Sequence, residues 1–423
     1  MGLNAIISLL VFVIVLALII SEKINRTVAA TAGACVILLF RIFTGEDAIG
    51  YIDFNTLGVL AGMMIIVGIV RKTGIFEYLA IHFAKRAKGD PWKIILSFGI
   101  ITAVISAFLD NVTTVLLIVP MTFIITEKLE LDPIPFLIPE IIASNIGGTA
   151  TLIGDPPNIM IGSQAGLDFL AFVKNLTPVI IIIFIATFFV IKFMYRKMLI
   201  VSDEKKKLIM ELDETHCIKD KTLLIKCCIV LTLVIAGFLL HSVIGYESGL
   251  IAIAGALLLA LISGETADEL VSSIEFPTIF FFVGLFVVVG SLVEVGLVKQ
   301  LAEFVISLTG GNLLLTGLFI LWFSAIFSAF LDNIPFVATL IPLIKAMGAS
   351  GMAISPLWWA ISLGACLGGN GTLIGASANV VVSGLAEKRG YKLSFARYTK
   401  AAFPLMILSI VISTVYLYIF YLR

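Results

Sequence analysis

Two aspartates stand inside the apolar interior of a chain that repeats itself. FLDNVTTVLLIVP begins at Phe108 and FLDNIPFVATLIP at Phe330, 222 residues later. Asp110 with Asn111 and Asp332 with Asn333 therefore hold equivalent places. A second pair follows, GGTATLIGDPPN from Gly147 and GGNGTLIGASAN from Gly368, now 221 apart. The repetition restricts the fold to two copies of one unit. A carboxylate flanked by apolar residues is costly in hydrocarbon and marks an ion or substrate site by default.

Composition places that unit in a membrane. The chain is 60% apolar and 13% charged, with a mean hydropathy of +1.14, outside the range of soluble proteins. Gly2 to Ser21 carries no charge and spans about 30 Å as a helix. It lacks a basic leader and a small-residue cleavage site, so it reads as a retained first span. The formal net charge is zero, which points to no nucleic-acid partner. Neither the five cysteines nor the three histidines fall in metal-ligand or CxxC spacing, which argues against a disulfide framework, a metal centre and an enzyme.

Apolar length and polar breaks predict an all-α integral membrane protein made of two inverted repeats. The first repeat occupies 1–197 and the second 222–423, joined by a hydrophilic linker at 198–221. Spans are expected near 2–21, 27–44, 54–71 and 177–195, and again near 222–241, 247–264, 277–293 and 402–422. Each repeat adds a stretch interrupted by its Asp-Asn pair, 92–126 and 312–348, and a glycine-broken helix, 134–165 and 356–386. The match extends to Gly62, Gly68 and Gly74 with Gly284, Gly290 and Gly296, and to Pro120 with Pro342. If the interrupted stretches are re-entrant hairpins, each half crosses five times, and an odd count turns the second half upside down. Lysines and arginines gather on the linker side, so the linker is expected in the cytoplasm and both termini outside, in a multi-pass cell-membrane protein.

The motifs specify the chemistry. A hairpin tip within a membrane is tolerated only when it is buried in protein or lines a wet cavity. Asp110, Asn111, Thr113 and Thr114 at one tip, and Asp332 and Asn333 at the other, suit Na⁺ or a carried proton. Either aspartate would also cap the helix that follows it. The breaks offer carbonyls with Thr149, Thr151, Asp155 and Asn158 in one copy and Asn370, Thr372 and Asn379 in the other. Asp155 has Ala376 as its counterpart, so the first copy is richer in carboxylate. No basic residue lies in either motif, which weighs against an anion bound by arginine.

LDNVTT from Leu109 and SNIGGTATLIGDPPN from Ser144 resemble the ion transporter superfamily of arsenical-pump permeases, P-protein permeases, NhaD-type sodium/proton antiporters, and citrate and dicarboxylate carriers. The resemblance covers nearly the whole chain and is greatest to the arsenical-pump and P-protein branches. Dicarboxylate carriers typically have Ser-Asn-Thr at the hairpin tips, where this chain has Asp-Asn. The likeness implies a scaffold and a transport domain, homodimers in the lipid bilayer, and elevator-like movement. The expected function is secondary transport coupled to H⁺ or Na⁺, with no cofactor, carrying a small inorganic ion or metalloid oxyacid such as arsenite. Sodium/proton antiport and Na⁺-coupled carboxylate symport are the alternatives. No GxxxxGK[ST] phosphate loop is present, so ATP drive would need a separate subunit.

Overall fold

The computed structural model describes residues 2–21, 23–214 and 216–423; Met1 and Glu22 of the first repeat and Thr215 of the linker lie outside the described residues. It is all-helical. The first repeat runs α1 (Leu3–Ser21), α2 (Arg26–Leu39), α3 (Gly45–Tyr51), α4 (Phe54–Lys72), α5 (Ile75–Arg86) and α6 (Pro91–Ser106). It continues with α7 (Asn111–Leu129), α8 (Ile134–Thr149), α9 (Pro156–Ala165), α10 (Phe169–Asn175) and α11 (Thr177–Tyr195). The linker holds α12 (Asp203–Met210). The second repeat runs α13 (Lys221–Ile244), α14 (Ser248–Ser263), α15 (Ala267–Ser273), α16 (Phe276–Glu294) and α17 (Leu297–Leu308). It closes with α18 (Leu313–Phe330), α19 (Asn333–Ala349), α20 (Ser355–Gly368), α21 (Ser377–Lys388) and α22 (Phe395–Phe420). Among the described residues, eight helices are long and apolar enough to cross a membrane: α1, α4, α7, α11, α13, α16, α18 and α22.

The duplication read from the motifs is written into the helix ends. From α2 to α7, each helix begins 222 residues before its copy, and α8 and α9 begin 221 before theirs. The missing residue therefore lies in the α19–α20 region. The local causes repeat too. Thr44 and Thr266 open α3 and α15 with capping boxes, satisfying free N–H groups of the first turn. Gly74 and Gly296 take left-handed φ values of 77° and 75° at the sharp entry to α5 and α17, a conformation other residues adopt at a cost.

Packing exchanges equivalent elements. Helix α4 packs on α14 while its copy α16 packs on α2, and α9 packs on α19 while α21 packs on α7. Helices α8 and α20 pack on each other, and so do α4 and α16. Such reciprocity means a pseudo-two-fold axis passes between each helix and its copy, the geometry of an isologous contact within one chain. Close approach makes it possible. A Cβ on Gly62 would sit 2.5 Å from the Ala252 carbonyl carbon, and one on Gly284 would sit 2.6 Å from that of Ala30. Small residues bring membrane helices together where no hydrophobic drive exists between them.

Two layers result. Helices α1–α4 and α13–α16 pack together, and α6–α9, α11 and α18–α22 form the other layer. The two interrupted stretches become α6–α7 and α18–α19, bent at residues 107–110 and 331–332. The two glycine motifs become breaks at 150–155 and 369–376, where helical hydrogen bonding is lost. The second copy breaks at the matching place without the prolines of the first.

Candidate substrate and ion site

Both bends and both breaks meet in the second layer. Asp110 caps α7, its Oδ1 taking the Thr113 N–H at 2.9 Å, and Asp332 caps α19 by accepting from the Ile334 N–H at 3.0 Å. A caps-only role would leave the second oxygens idle. At Asp332 it is not idle: Oδ2 accepts from Arg26 Nη1 at 3.0 Å and from Ser377 Oγ at 2.9 Å. Arg26 also donates to Ser377 Oγ.

Arg26 corrects the sequence reading. No basic residue lies in either motif, yet one faces the site from the first turn of α2, 306 positions from its partner. A contact of that span carries no local signal. Arg26 sits in an otherwise ordinary stretch after the first span, and its guanidinium also lies 5.1 Å from the Phe281 ring centroid. The arrangement pairs one fixed positive charge with one of three aspartates.

Asp155 is fully buried and begins α9, where its side chain makes no capping bond. It accepts instead from the Asn333 amide, with Nδ2 at 3.2 and 3.4 Å from the two oxygens. The bend of one repeat is thereby tied to the break of the other. Asp110, Asn111, Asp155, Asn333, Ser377 and Arg26 line a cavity of about 40 Å³, which Glu275 and Thr278 close from α16. A wider cavity of about 370 Å³ shares Arg26 and Ser377 with it, and has walls from Asp332, Ile19, Ile24 and Val380.

An asparagine core holds the breaks. Asn145 accepts from Asn111 Nδ2 at 3.0 Å and donates to Asn370 Oδ1 at 2.9 Å and Asn379 Oδ1 at 3.0 Å. Asn379 then donates to the carbonyls of Gly369 and Thr372, and Asn158 donates to those of Thr149 and Thr151. Ser362 Oγ caps Asn158 Oδ1 at 2.6 Å, with the Cys366 thiol 3.6 Å away. These amides replace the hydrogen bonds that the unwound turns give up. Thr151 and Thr372 hydroxyls bond to the Ala107 and Ala329 carbonyls, fastening each break to the bend of its own repeat.

Of the residues singled out by sequence, Asp110, Asn111, Asp155, Asp332 and Asn333 lie at or beside the small cavity. Asn158, Asn370, Thr372, Asn379, Thr149 and Thr151 surround the breaks. Thr113 supplies its backbone N–H to Asp110, and the Thr114 hydroxyl is buried without a partner. The Asn370 amide nitrogen is likewise unpartnered. Sequence reading passed over Asn145 because its counterpart is Cys366, passed over Ser377 because its counterpart in the first motif is Pro156, and passed over Ser362 because a lone serine in an apolar helix carries no pattern. Among the described residues, no group of three or more His, Cys, Asp or Glu is placed to hold a metal ion.

The profile of the citrate transporter family CitMHS matches residues 16–364. An uncharacterized transporter of Mycobacterium tuberculosis H37Rv is 43% identical, over 99% of both chains. The human P protein is 35% identical over 95% of this chain and 58% of its own length. In three dimensions, the YdaH transporter of Alcanivorax borkumensis, described as having an unusual topology, superposes with a TM-score of 0.59 at 13% identity, covering 99% of this chain and 98% of that one.

Proposed function

The chain belongs to the CitMHS citrate transporter family, and on that premise we propose that this membrane transporter is a secondary carrier moving a small anion together with H⁺ or Na⁺ through the site between the two bends. The observation that carries the reading is Arg26 beside Asp332, with Asp110 and Asp155 close by. An oxyanion or carboxylate entering the larger cavity competes with Asp332 for the guanidinium, which presents a planar, bidentate-capable donor. Once displaced, Asp332 carries an uncompensated charge and takes a cation. Anion and cation thus bind in mutual support, which is what coupling requires.

In this reading the bends are re-entrant and the second layer moves against the first. The linker lies in the cytoplasm and the termini outside, in the cell membrane. The protein works as a homodimer in lipid and uses no cofactor. Arsenite-type efflux has less support than anion carriage, because the Cys366 thiol that a trivalent metalloid would seek is buried against Asn158. Sodium/proton antiport is kept as a second reading by the three aspartates against one arginine, which leave excess negative charge for two cations to share.

The deciding experiment uses proteoliposomes with an imposed proton gradient and an internal pH-sensitive dye, receiving Na⁺, citrate or arsenite in turn. Citrate accumulation that needs H⁺ or Na⁺, and fails in Asp110→Asn, supports the proposal. A dye response to Na⁺ alone makes the protein an antiporter, and a response to arsenite alone overturns both readings.

A further inference from the structure

One buried carboxyl takes no part in the site just described. Glu140 lies on α8, about 7.5 Å along the axis from Asn145 toward the linker end, and is 2% exposed. Its Oε1 accepts from Thr122 Oγ1 of α7 at 2.5 Å, and its Oε2 has no partner. Glu140 is the only titratable side chain of α8. On the helices packed against α8, the charged groups all sit at exposed positions: Lys93 of α6, Glu127 and Lys128 of α7, Lys192 of α11, Glu387 and Lys388 of α21, and Arg397 and Lys400 of α22. The buried titratable groups there, Tyr195, Tyr398 and Cys366, make no hydrogen bond to it. An ionised carboxylate so placed is uncompensated.

The duplication shows that the fold does not need it. The repeat counterparts of Thr122 and Glu140 are Ile344 of α19 and Ile361 of α20, both fully buried. The packed helix pair thus carries two buried isoleucines in one copy and a hydroxyl and an acid in the other. Replacing a buried polar pair by apolar residues is ordinarily neutral or stabilising, so retention of the acid in one copy calls for a role.

We propose that Glu140 is a proton-carrying site of the moving layer, separate from the aspartates that receive substrate. It holds its proton on Oε2 while buried. That O–H bond forms with a proton from water at one end of the molecule and breaks when α7 and α8 part enough for water to take the proton back. Because it rests on the carrier reading only for its use, the occupancy of the site can be tested apart from transport.

Infrared spectra of the full-length protein in liposomes read neutral carboxylic acids directly. Glu140→Gln should remove one such C=O band at neutral pH, and the double variant Thr122→Ile with Glu140→Ile, which copies the second repeat, should fold and remove the same band. In proteoliposomes given citrate, both should retain counterflow exchange and lose acceleration by an imposed proton gradient. An unchanged acid band in either variant overturns the proposal, as does full gradient-driven acceleration in the double variant. If the wild type moves no citrate while the band is lost as expected, the carrier reading for citrate fails and the proton site stands.

Discussion

Asp110 and Asp332 are the same residue twice, yet only one of them meets a guanidinium. The repeat counterpart of Arg26 is Ser248, so the pairing cannot recur in the other half. Arg26→Ala should weaken anion binding by the loss of a charge-assisted hydrogen bond, about 1.5–3 kcal/mol, or roughly tenfold or more in apparent affinity. It also leaves Asp332 without its counter-charge, so the single variant should be less stable than the Arg26→Ala, Asp332→Asn pair, which removes both charges. Uptake kinetics and thermal melting in detergent measure the two effects; equal melting temperatures for single and double variants would remove the ion pair from the argument. The aspartates were legible in sequence because an acid between two apolar runs is too costly to keep unless it serves a site. Arg26 and Asn145 were not: each is an ordinary residue whose meaning comes from partners more than 200 positions away.

Helix boundaries were easier to read than helix contacts. Glycine with Thr, Gly and Pro announced the break after Thr149, and the second copy, although poorer in breakers, unwinds at the matching place because Asn379 satisfies its carbonyls. What no pattern announced was which helix each glycine approaches. Gly62→Ala and Gly284→Ala each drive a Cβ into the backbone of the other repeat, and overpacking of this kind costs about 1–3 kcal/mol. Gly384→Ala in α21 meets nothing within 4 Å and should be neutral or stabilising by about 0.5–1 kcal/mol. Melting temperatures that fall for the first two and hold or rise for the third would bear out the exchange of helices between repeats. A second contact between repeats lies at the linker end. The Glu269 carboxylate is pulled down from 4.5 to about 2, first by the Thr266 backbone N–H and then by Lys72 at 3.1 Å. Because the folded value is the lower one, its stabilisation is present above about 4.5 and is lost as pH falls toward about 2. The wild type should therefore lose more melting temperature than Glu269→Gln between pH 7 and pH 3; parallel losses would show that the pair contributes nothing.

At the scale of the whole molecule, a pseudo-two-fold protein in one conformation cannot be symmetric, since a carrier open at both ends is a leak. Two cavities bear on this. The one of about 370 Å³ has Asn25, Arg26 and Val380 in its wall, and the other, of about 290 Å³, has their counterparts Glu247, Ser248 and Ile159. They are the same place in the two repeats. Beside the smaller cavity, Asp53, which caps α4, accepts from Ser163 and Gln164 of α9, and Lys345 of α19 donates to Gln164. The counterparts of Ser163, Gln164 and Lys345 are Gly384, Leu385 and Phe123, so this polar cluster does not recur in the other repeat, where Arg26 bonds Asp332 and Ser377 instead. Val380 is accordingly 36% exposed and Ile159 only 3%. In a background lacking the accessible cysteines Cys35, Cys217 and Cys228, Val380→Cys should react rapidly with a small thiol reagent. Ile159→Cys should react slowly until substrate and coupling ion are supplied together. Gln164→Ala should shorten that delay by freeing the fastened end. If Ile159→Cys reacts at one unchanging rate with and without substrate, the two cavities are not alternate openings of one path, and the duplication serves architecture alone.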